Sequence, residues 1–222
     1  MARRIVCTLF QSLDGVMQAP GGPTEDTTGG FAHGGWQMGY GDAVTEAAIG
    51  EALAPPFALL LGRRTYDIFA SYWPYVEGEA AALGAMFTQA EKYVLTGGDA
   101  PLEWENSHRL AGIAAVAALR AGEGPDLRVW GSGTLHPQLL KAGLLDRLTV
   151  LTFPILVGKG KRTFREGTPF GGLALSEGQV SPGGVVIATY SPGAPVPAGA
   201  NFPAPPNARE QERQRRMKEG TW

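Results

Sequence analysis

The sequence predicts an α/β fold built on a mostly parallel sheet with antiparallel strands added at its end. Strand-like and helix-like segments alternate over the first two thirds of the chain, whereas the part after residue 146 is strand-like. Two predicted strands are short buried runs, as is typical of parallel sheets. Hydrophobic residues make up 44% of the 222 residues, which is enough for a packed core despite 32 Gly and 17 Pro.

The chain opens with a strand and a long loop. Residues 4–13 are rich in β formers and alternate between two faces, which predicts a strand. Residues 19–35 hold most of the local Gly and Pro, and a loop of this length inside a compact domain is usually functional. We expect it to form a lid or a wall of a substrate pocket, with Trp36 at its hinge end. The alternative is that Trp36 belongs to the core.

The middle of the chain alternates helices and strands. Helices are expected over residues 42–53, 63–71 and 80–90. The apolar run FALLLG (57–62) is bounded by Pro and Gly and predicts a buried strand, as does KYVLT (92–96).

The next segments continue the same alternation. Ser107 is a plausible N-cap for a helix over 108–121, because apolar residues follow on one face and Gly122 stands just past its end. LRVWG (127–131) predicts a strand, and residues 134–145 a helix with leucines on its buried side.

From residue 146 the pattern becomes β. RLTVLTFPILVG (147–158) predicts a long strand in which Pro154 marks a kink or an edge. Later strands are expected over 173–177 and 184–191. The composition then changes, so we predict one domain over residues 1–191 and a Pro-rich, then charged, tail over 192–222.

Composition and charge exclude several classes of protein. The net charge of −2 disfavours a nucleic-acid partner, and no apolar run approaches the roughly 18 residues that a membrane span needs. Polar residues cut short the apolar run at the N-terminus, so it predicts a strand and not a signal peptide. The single cysteine, Cys7, excludes an internal disulfide, and no histidine cluster indicates a metal site. We therefore expect a cytoplasmic protein that is neither membrane-bound nor metal-dependent.

Glycine-containing turns follow the predicted parallel strands, where ligands of open α/β sheets bind. The turn GSGT (131–134) precedes a helix, so its backbone could cradle a pyrophosphate, although a tight connection is an equal alternative. Arg63 and Arg64 stand in the first turn of a helix, where cations oppose the helix macrodipole. The pair makes sense if it faces an anion such as the 2′-phosphate of NADPH; two solvated arginines are the alternative.

The pair Asp14-Gly15 ends the first strand at the long loop. The carboxylate of Asp14 could hydrogen-bond a substrate amide or amine, yet Asp-Gly is also a common turn pair. No G-x-S-x-G or Walker-type motif is present, which disfavours a serine hydrolase and a P-loop nucleotidase.

Taken jointly and in order, five segments resemble the dihydrofolate reductase-like family, and most closely the reductase domain of the riboflavin-pathway deaminase-reductase. They are SLDG (12–15), LLLGRRTYDIFASYWP (59–74), KYVLT (92–96), VWGSGTLHPQLLKAGLLDRLTV (129–150) and FPILVGKGKRTF (153–164). The resemblance implies a three-layer fold with an eight-stranded, mostly parallel mixed sheet and flanking helices. It also implies NADPH as hydride donor and a homodimer.

The resemblance carries site residues over by position. The residues implied to bind the cofactor are Gly62, Arg63, Arg64, Thr65, Thr96, Gly131, Ser132, Gly133, Thr134 and Leu135. Asp14 would orient the substrate as the one catalytic candidate. The residues expected to line the substrate are Gly15, Trp36, Tyr66 and Phe69.

The sequence as a whole thus predicts an NADPH-dependent reductase of a small heterocyclic or carbonyl-type substrate, similar to 5-amino-6-(5-phosphoribosylamino)uracil reductase. The chain lacks the deaminase motifs H-x-E and P-C-x-x-C. One alternative is a dihydrofolate reductase, for which Glu46 is the nearest candidate for the pterin-binding carboxylate. The other is a nucleotide-binding module without turnover.

Overall fold

Eight strands form one mixed sheet in a computed structural model that describes residues 2–169, 171–196 and 205–222. In chain order the strands are β1 (Ile5–Ser12), β2 (Phe57–Gly62), β3 (Lys92–Leu95), β4 (Ser107–Leu110), β5 (Asp126–Trp130), β6 (Arg147–Phe153), β7 (Leu173–Val180) and β8 (Val186–Pro192). Their order across the sheet is β4-β3-β2-β5-β1-β6-β8-β7. The predicted fold class is confirmed.

The first six strands are parallel, and the last two are antiparallel to β6 and to each other. β1 lies between β5 and β6, with Cys7 opposite Val129 on one side and Leu148 on the other. This shared direction brings the carboxyl ends of β2, β3, β5 and β1 to one edge of the sheet.

Helices cover both faces of the sheet. The described helices are α1 (Ala43–Ala52), α2 (Arg63–Tyr72), α3 (Ala81–Gln89), α4 (Ile113–Ala121), α5 (His136–Lys141) and α6 (Ala208–Glu219). On one face, Val116 of α4 and Leu139 of α5 pack on alternate residues of β1 and β5. On the other face, α1, α2 and α3 cover β2 and the ends of β5 and β6.

The expected helix over 108–121 is wrong in its first part. Ser107–Leu110 is the edge strand β4, whose His108 stands opposite Tyr93 of β3, and the helix begins at Ile113 after Gly112. Asn106, in the left-handed region with φ of 56°, turns the chain into this strand, and its carbonyl accepts a hydrogen bond from the backbone N–H of Lys92. Pairing with β3 outweighs the capping preference of Ser107.

Pro154 ends the strand expected over 147–158 earlier than the apolar pattern suggests. β6 stops at Phe153, and residues 154–163 form an irregular segment that returns across the end of β1. The backbone N–H groups of Leu13 and Met17 donate to the carbonyls of Ile155 and Lys161 at 2.9 and 2.8 Å. This returning segment therefore forms part of the sheet edge where ligands would bind.

The long loop is pinned against that returning segment. The buried Gln18 side chain donates to the carbonyls of Asp26 and Thr28, and it accepts from the backbone N–H of Lys161. The ammonium group of Lys161 in turn binds the carboxylate of Asp26 and the hydroxyl of Thr28. Hydrogen bonds and an ion pair from the side chains of Gln18 and Lys161 thus hold the loop against the returning segment. This arrangement differs from a freely opening lid.

The charged end of the chain forms α6. Asn207 caps its start and the left-handed Gly220 ends it. Ion pairs three or four residues apart, such as Glu210 with Arg213 and Glu212 with Arg216, line its surface. Residues 197–204 of the predicted tail lie outside the described residues, and among the described helices none is long and apolar enough to cross a membrane.

Candidate cofactor and substrate site

Two turns at the carboxyl edge of the sheet are bonded to each other through Ser132. The backbone N–H of Gly62, at the end of β2, donates to Oγ of Ser132 at 2.9 Å. The hydroxyl of Thr65 in α2 lies 2.8 Å from the same oxygen. The structure therefore brings together the turn 62–65 and the turn 131–134 at the carboxyl edge of the sheet.

The backbone at the second turn is unusual. Gly131 and Ser132 are both left-handed, with φ of 64° and 59°. A tight turn of this kind leaves backbone N–H groups outside regular secondary structure, where they can bind an anion. A side chain on Gly62 would begin 3.0 Å from Oγ of Ser132, which explains glycine at that position.

The first turn of α2 has no side-chain cap, because its N-cap residue is Gly62. Its free N–H groups and the positive end of the helix dipole thus face the sheet edge, an arrangement that favours a phosphate group. Arg64 is exposed in this first turn. Thr134 is exposed in the facing turn, while the side chain of Leu135 is buried in the core and leaves only its backbone near the turn.

Two arginines contact the loop that follows β3. Arg63 donates through Nη1 to the carbonyl of Ala100 at 2.7 Å, and it pairs with Asp67 one helical turn along α2. Arg109 of β4 donates through Nη2 to the same carbonyl, also at 2.7 Å. Thr96 begins this loop.

Arg109 was missed in the sequence because its segment was predicted to be helical. The sequence alone gives little reason to assign Arg109 to a binding site. Its position becomes informative only in the structure, where β4 lies beside β3. The structure places its guanidinium on the same carbonyl as that of Arg63, so both cations converge on one loop.

Asp14 binds the returning segment. Its carboxylate accepts from the backbone N–H groups of Val157 and Gly158 at 3.0 and 2.8 Å, and from the hydroxyl of Ser12 at 2.7 Å. The hydrogen bond from Ser12 and those from the backbone lower the pKa of Asp14 to about 2. Both carboxylate oxygens therefore have partners within the protein.

Gly15 follows in the left-handed region, with φ of 81°, and lies beside the guanidinium of Arg162. Arg162 donates to the carbonyls of Asp14 and Gly158. Its side chain is partly exposed. It was not singled out from the sequence, although it lies in the quoted segment 153–164 that carries the family resemblance.

The aromatic residues expected to line the substrate lie in the core. Trp36 is 8% exposed, packs edge-on against Phe153, and donates its indole N–H to the carbonyl of Gln18. Tyr66 is 2% exposed, and its hydroxyl accepts from the backbone N–H of Trp104.

Phe69 is part of the same buried cluster as Tyr66. Its ring centroid lies 5.6 Å from that of Phe87 and 6.0 Å from that of Trp73. The core alternative given for Trp36 describes its observed environment, and Tyr66 is likewise buried, whereas Phe69 is partly buried. No group of three or more potential metal ligands occurs among the described residues.

The profile of the RibD C-terminal domain matches residues 3–187. The chain belongs to the RibD C-terminal domain family. The match spans all six parallel strands and both bonded turns, and it ends within β8. A search of curated proteins found no match.

Solved structures share the fold of this RibD C-terminal domain. One is a protein from Shewanella sp. PV-4 assigned to riboflavin biosynthesis, with 18% identity, a TM-score of 0.63, and coverage of 87% of this chain and 100% of the other. Another is the dihydrofolate reductase of Enterococcus faecalis complexed with NADP(H) and RAB-propyl, with 13% identity, a TM-score of 0.56, and coverage of 87% and 100%. A third is a pyrimidine reductase-like protein from Corynebacterium diphtheriae, with 13% identity, a TM-score of 0.54, and coverage of 86% and 92%.

Proposed function

We propose that this chain is a reductase that uses NADPH to reduce a small heterocyclic or carbonyl-type substrate. The observation that carries the proposal is the bonded pair of turns, 62–65 and 131–134, at the carboxyl edge of the parallel strands in a member of the RibD C-terminal domain family. Ligands of open α/β sheets bind at this edge. When bound, NADPH supplies the hydride, and the protein supplies binding and orientation.

The residues present fit a dinucleotide phosphate. The uncapped start of α2 and the left-handed Gly131-Ser132 pair offer backbone N–H groups to a pyrophosphate. Arg63 and Arg109 place positive charge at the loop after β3, and Arg64 adds an exposed cation in the first turn of α2. This charge suits the 2′-phosphate that distinguishes NADPH from NADH.

The substrate would lie beside Gly15, at the end of β1. We propose that Asp14 stabilises this edge and does not itself contact the substrate, because its carboxylate holds the returning segment in place through Val157 and Gly158. Arg162 is a partly exposed cation beside Gly15 at this edge, and it suits a substrate with a carbonyl or anionic group. A substrate similar to 5-amino-6-(5-phosphoribosylamino)uracil has both kinds of group.

A dihydrofolate reductase is less well supported by the side chains of α1. A pterin needs a carboxylate inside the cleft, but Glu46 is exposed. The inward positions of α1 are Val44, Thr45, Ala48 and Ile49, which carry no charge. A binding module without turnover remains the second alternative, and it predicts NADPH binding with no oxidation.

The direct test is to follow the absorbance of NADPH while the full-length protein is mixed with candidate substrates. We expect oxidation with a ribosylaminopyrimidine that carries an exocyclic amine, and none with dihydrofolate. Oxidation of NADPH by dihydrofolate alone would instead favour the dihydrofolate reductase alternative. Tight binding of NADPH without oxidation by any substrate of either class would favour the binding module. We also propose that the protein acts in the cytoplasm.

We also propose that two copies of the chain associate through β7. All eight residues of this edge strand are exposed, including Leu175 and Val180 at 62% and 66%. Its one charged residue, Glu177, already pairs with Arg147. Edge strands of monomers are usually protected by charge or by a covering element, but the one charge of β7 is paired and none of the described elements covers the strand. A second copy paired antiparallel would satisfy the unpaired edge.

A further inference from the structure

His136 is a buried side chain that none of the roles above uses. It lies at the start of α5 and is fully shielded from solvent. Its Nε2 is 2.7 Å from the carbonyl oxygen of Thr163, and its Nδ1 is 3.3 Å from the carbonyl oxygen of Ser132. A carbonyl can only accept, and a neutral imidazole has one N–H, so the shorter contact assigns the proton to Nε2. Burial lowers the pKa of His136, which favours this neutral form.

The hydrogen bond from His136 continues to the other wall of the site. The backbone N–H of Thr163 donates to the carbonyl of Gly15 at 2.9 Å, and Thr163 is itself fully buried. On the opposite side, the backbone N–H of His136 is 3.4 Å from the carbonyl of Ser132, the residue that joins the two turns. One chain of bonds therefore runs from the nucleotide turn through an imidazole to the end of β1.

Between residues 131–141 and residues 158–169, as far as they are described, the bond from His136 to Thr163 is the one hydrogen bond. The ring of Phe164 packs edge-on against the imidazole at 6.0 Å and fixes its plane. Among the described residues, the hydrogen bonding between these two segments thus runs through a single oriented side chain.

We propose that His136 is a positioning residue that couples the turn 131–134 to the edge at Gly15, so that a cofactor bound at the turn also orders the substrate side. The inference rests on the proposed function, because it takes NADPH as the ligand of that turn. The hydrogen bond holds the carbonyl of Thr163 at a fixed distance from α5, and Thr163 holds Gly15. Ordering of the turn is then transmitted without any contact between the cofactor and Thr163.

The test is hydrogen–deuterium exchange of the full chain with and without NADPH, read at residues 131–135 and 161–165. In the unmodified protein we expect NADPH to slow exchange in both segments. His136→Leu should keep the protection of 131–135 and lose that of 161–165, by between about twofold and about tenfold in rate, the range for one hydrogen bond. His136→Gln, whose amide N–H can reach Thr163, should restore it.

Further variants keep the test decisive. His136→Asn is too short to reach Thr163 and should behave like His136→Leu, so it replaces that variant if the latter does not fold. His108→Gln changes an exposed histidine on β4 and should leave both segments unaffected. Equal protection of 161–165 in all His136 variants overturns the coupling alone. Absence of protection at 62–65 and 131–135 in the unmodified protein overturns the proposed cofactor and, with it, the coupling.

Discussion

Asp14 shows how the role of one residue depends on partners far along the chain. Asp14→Asn should lower the free energy of unfolding by about 1–3 kcal/mol, because the new amide group faces a backbone N–H of Val157 or Gly158 that needs an acceptor. Turnover per folded molecule should change little. Thermal unfolding and activity measured on one sample decide the matter, since lost turnover at unchanged stability would mean that Asp14 contacts the substrate.

The same carboxylate predicts a pH dependence. The pKa of Asp14 is lowered to about 2, below the ordinary value of about 3.9, so the folded state binds this proton more weakly than the unfolded state. Its stabilisation is complete above about pH 4 and is lost as the pH falls through about 2. The difference in unfolding free energy between the unmodified protein and Asp14→Asn should therefore shrink over that range in denaturant titrations. A constant difference would contradict this assignment.

Lys92 is a buried cation that closes the end of α3. Its ammonium group donates to the carbonyls of Phe87, Thr88 and Ala90 at 2.7–2.8 Å and lies 4.2 Å from the ring of Trp104. Burial lowers its pKa to about 8, so it stays mostly protonated at pH 7 and uses all three donors.

Lys92→Met should therefore destabilise the fold by about 1–3 kcal/mol, because three helix-end carbonyls lose their donor. Lys141→Met, at an exposed position in the last turn of α5, is the matched control and should change stability by less than about 0.5 kcal/mol. Chemical denaturation compares the two variants. Equal stability of Lys92→Met and the unmodified protein would show that these bonds contribute nothing net.

At the scale of residues, the sequence predicted contacts between near neighbours better than distant ones. Arg63 was expected in the first turn of a helix and is found there. The partners of Asp14 lie 143 and 144 residues away, so no local pattern could reveal them. Trp36 and Tyr66 are amphipathic rings whose types suit both a core and a binding site, and the sequence alone could not separate the two.

At the scale of elements, α1, α2 and α3 lie within one or two residues of their predicted bounds, because apolar periodicity and glycine or proline boundaries agreed there. β4 was missed because it is a four-residue edge strand with exposed His108 and Arg109, which show no apolar alternation. Its strand conformation depends on pairing with β3, a tertiary effect that overrides local preference.

The exposed edge of β7 predicts an effect on assembly. Leu175→Lys should convert a dimer into a monomer in light scattering, because a charge on an exposed edge strand opposes pairing between strands. Leu156→Lys introduces the same charge at an exposed position after β6 and should leave the dimer intact. A monomeric unmodified protein, or a dimer that survives Leu175→Lys, would rule out association through β7.

At the scale of the molecule, the alternation of strands and helices was sufficient to predict the sheet and its antiparallel end. The strand order and the bond between the turns at Gly62 and Ser132 needed the structure, because periodicity does not say which strands are neighbours. The turns of the proposed cofactor site could be located from the sequence, because glycine turns follow strands directly there. The substrate side depends on the returning segment 154–163, whose irregular path carries no periodic signal.

The central claim is that the bonded turns form a site for NADPH. The most direct test is calorimetric titration of the full chain with NADPH and with NADH, repeated for the double variant Arg63→Ala, Arg64→Ala. We predict that the double variant weakens NADPH binding by at least ~1.5 kcal/mol, the low end for hydrogen bonds to charged groups, and that NADH binding changes much less. Equal losses for both cofactors would contradict the assignment of the 2′-phosphate, and no binding of either would contradict the site itself.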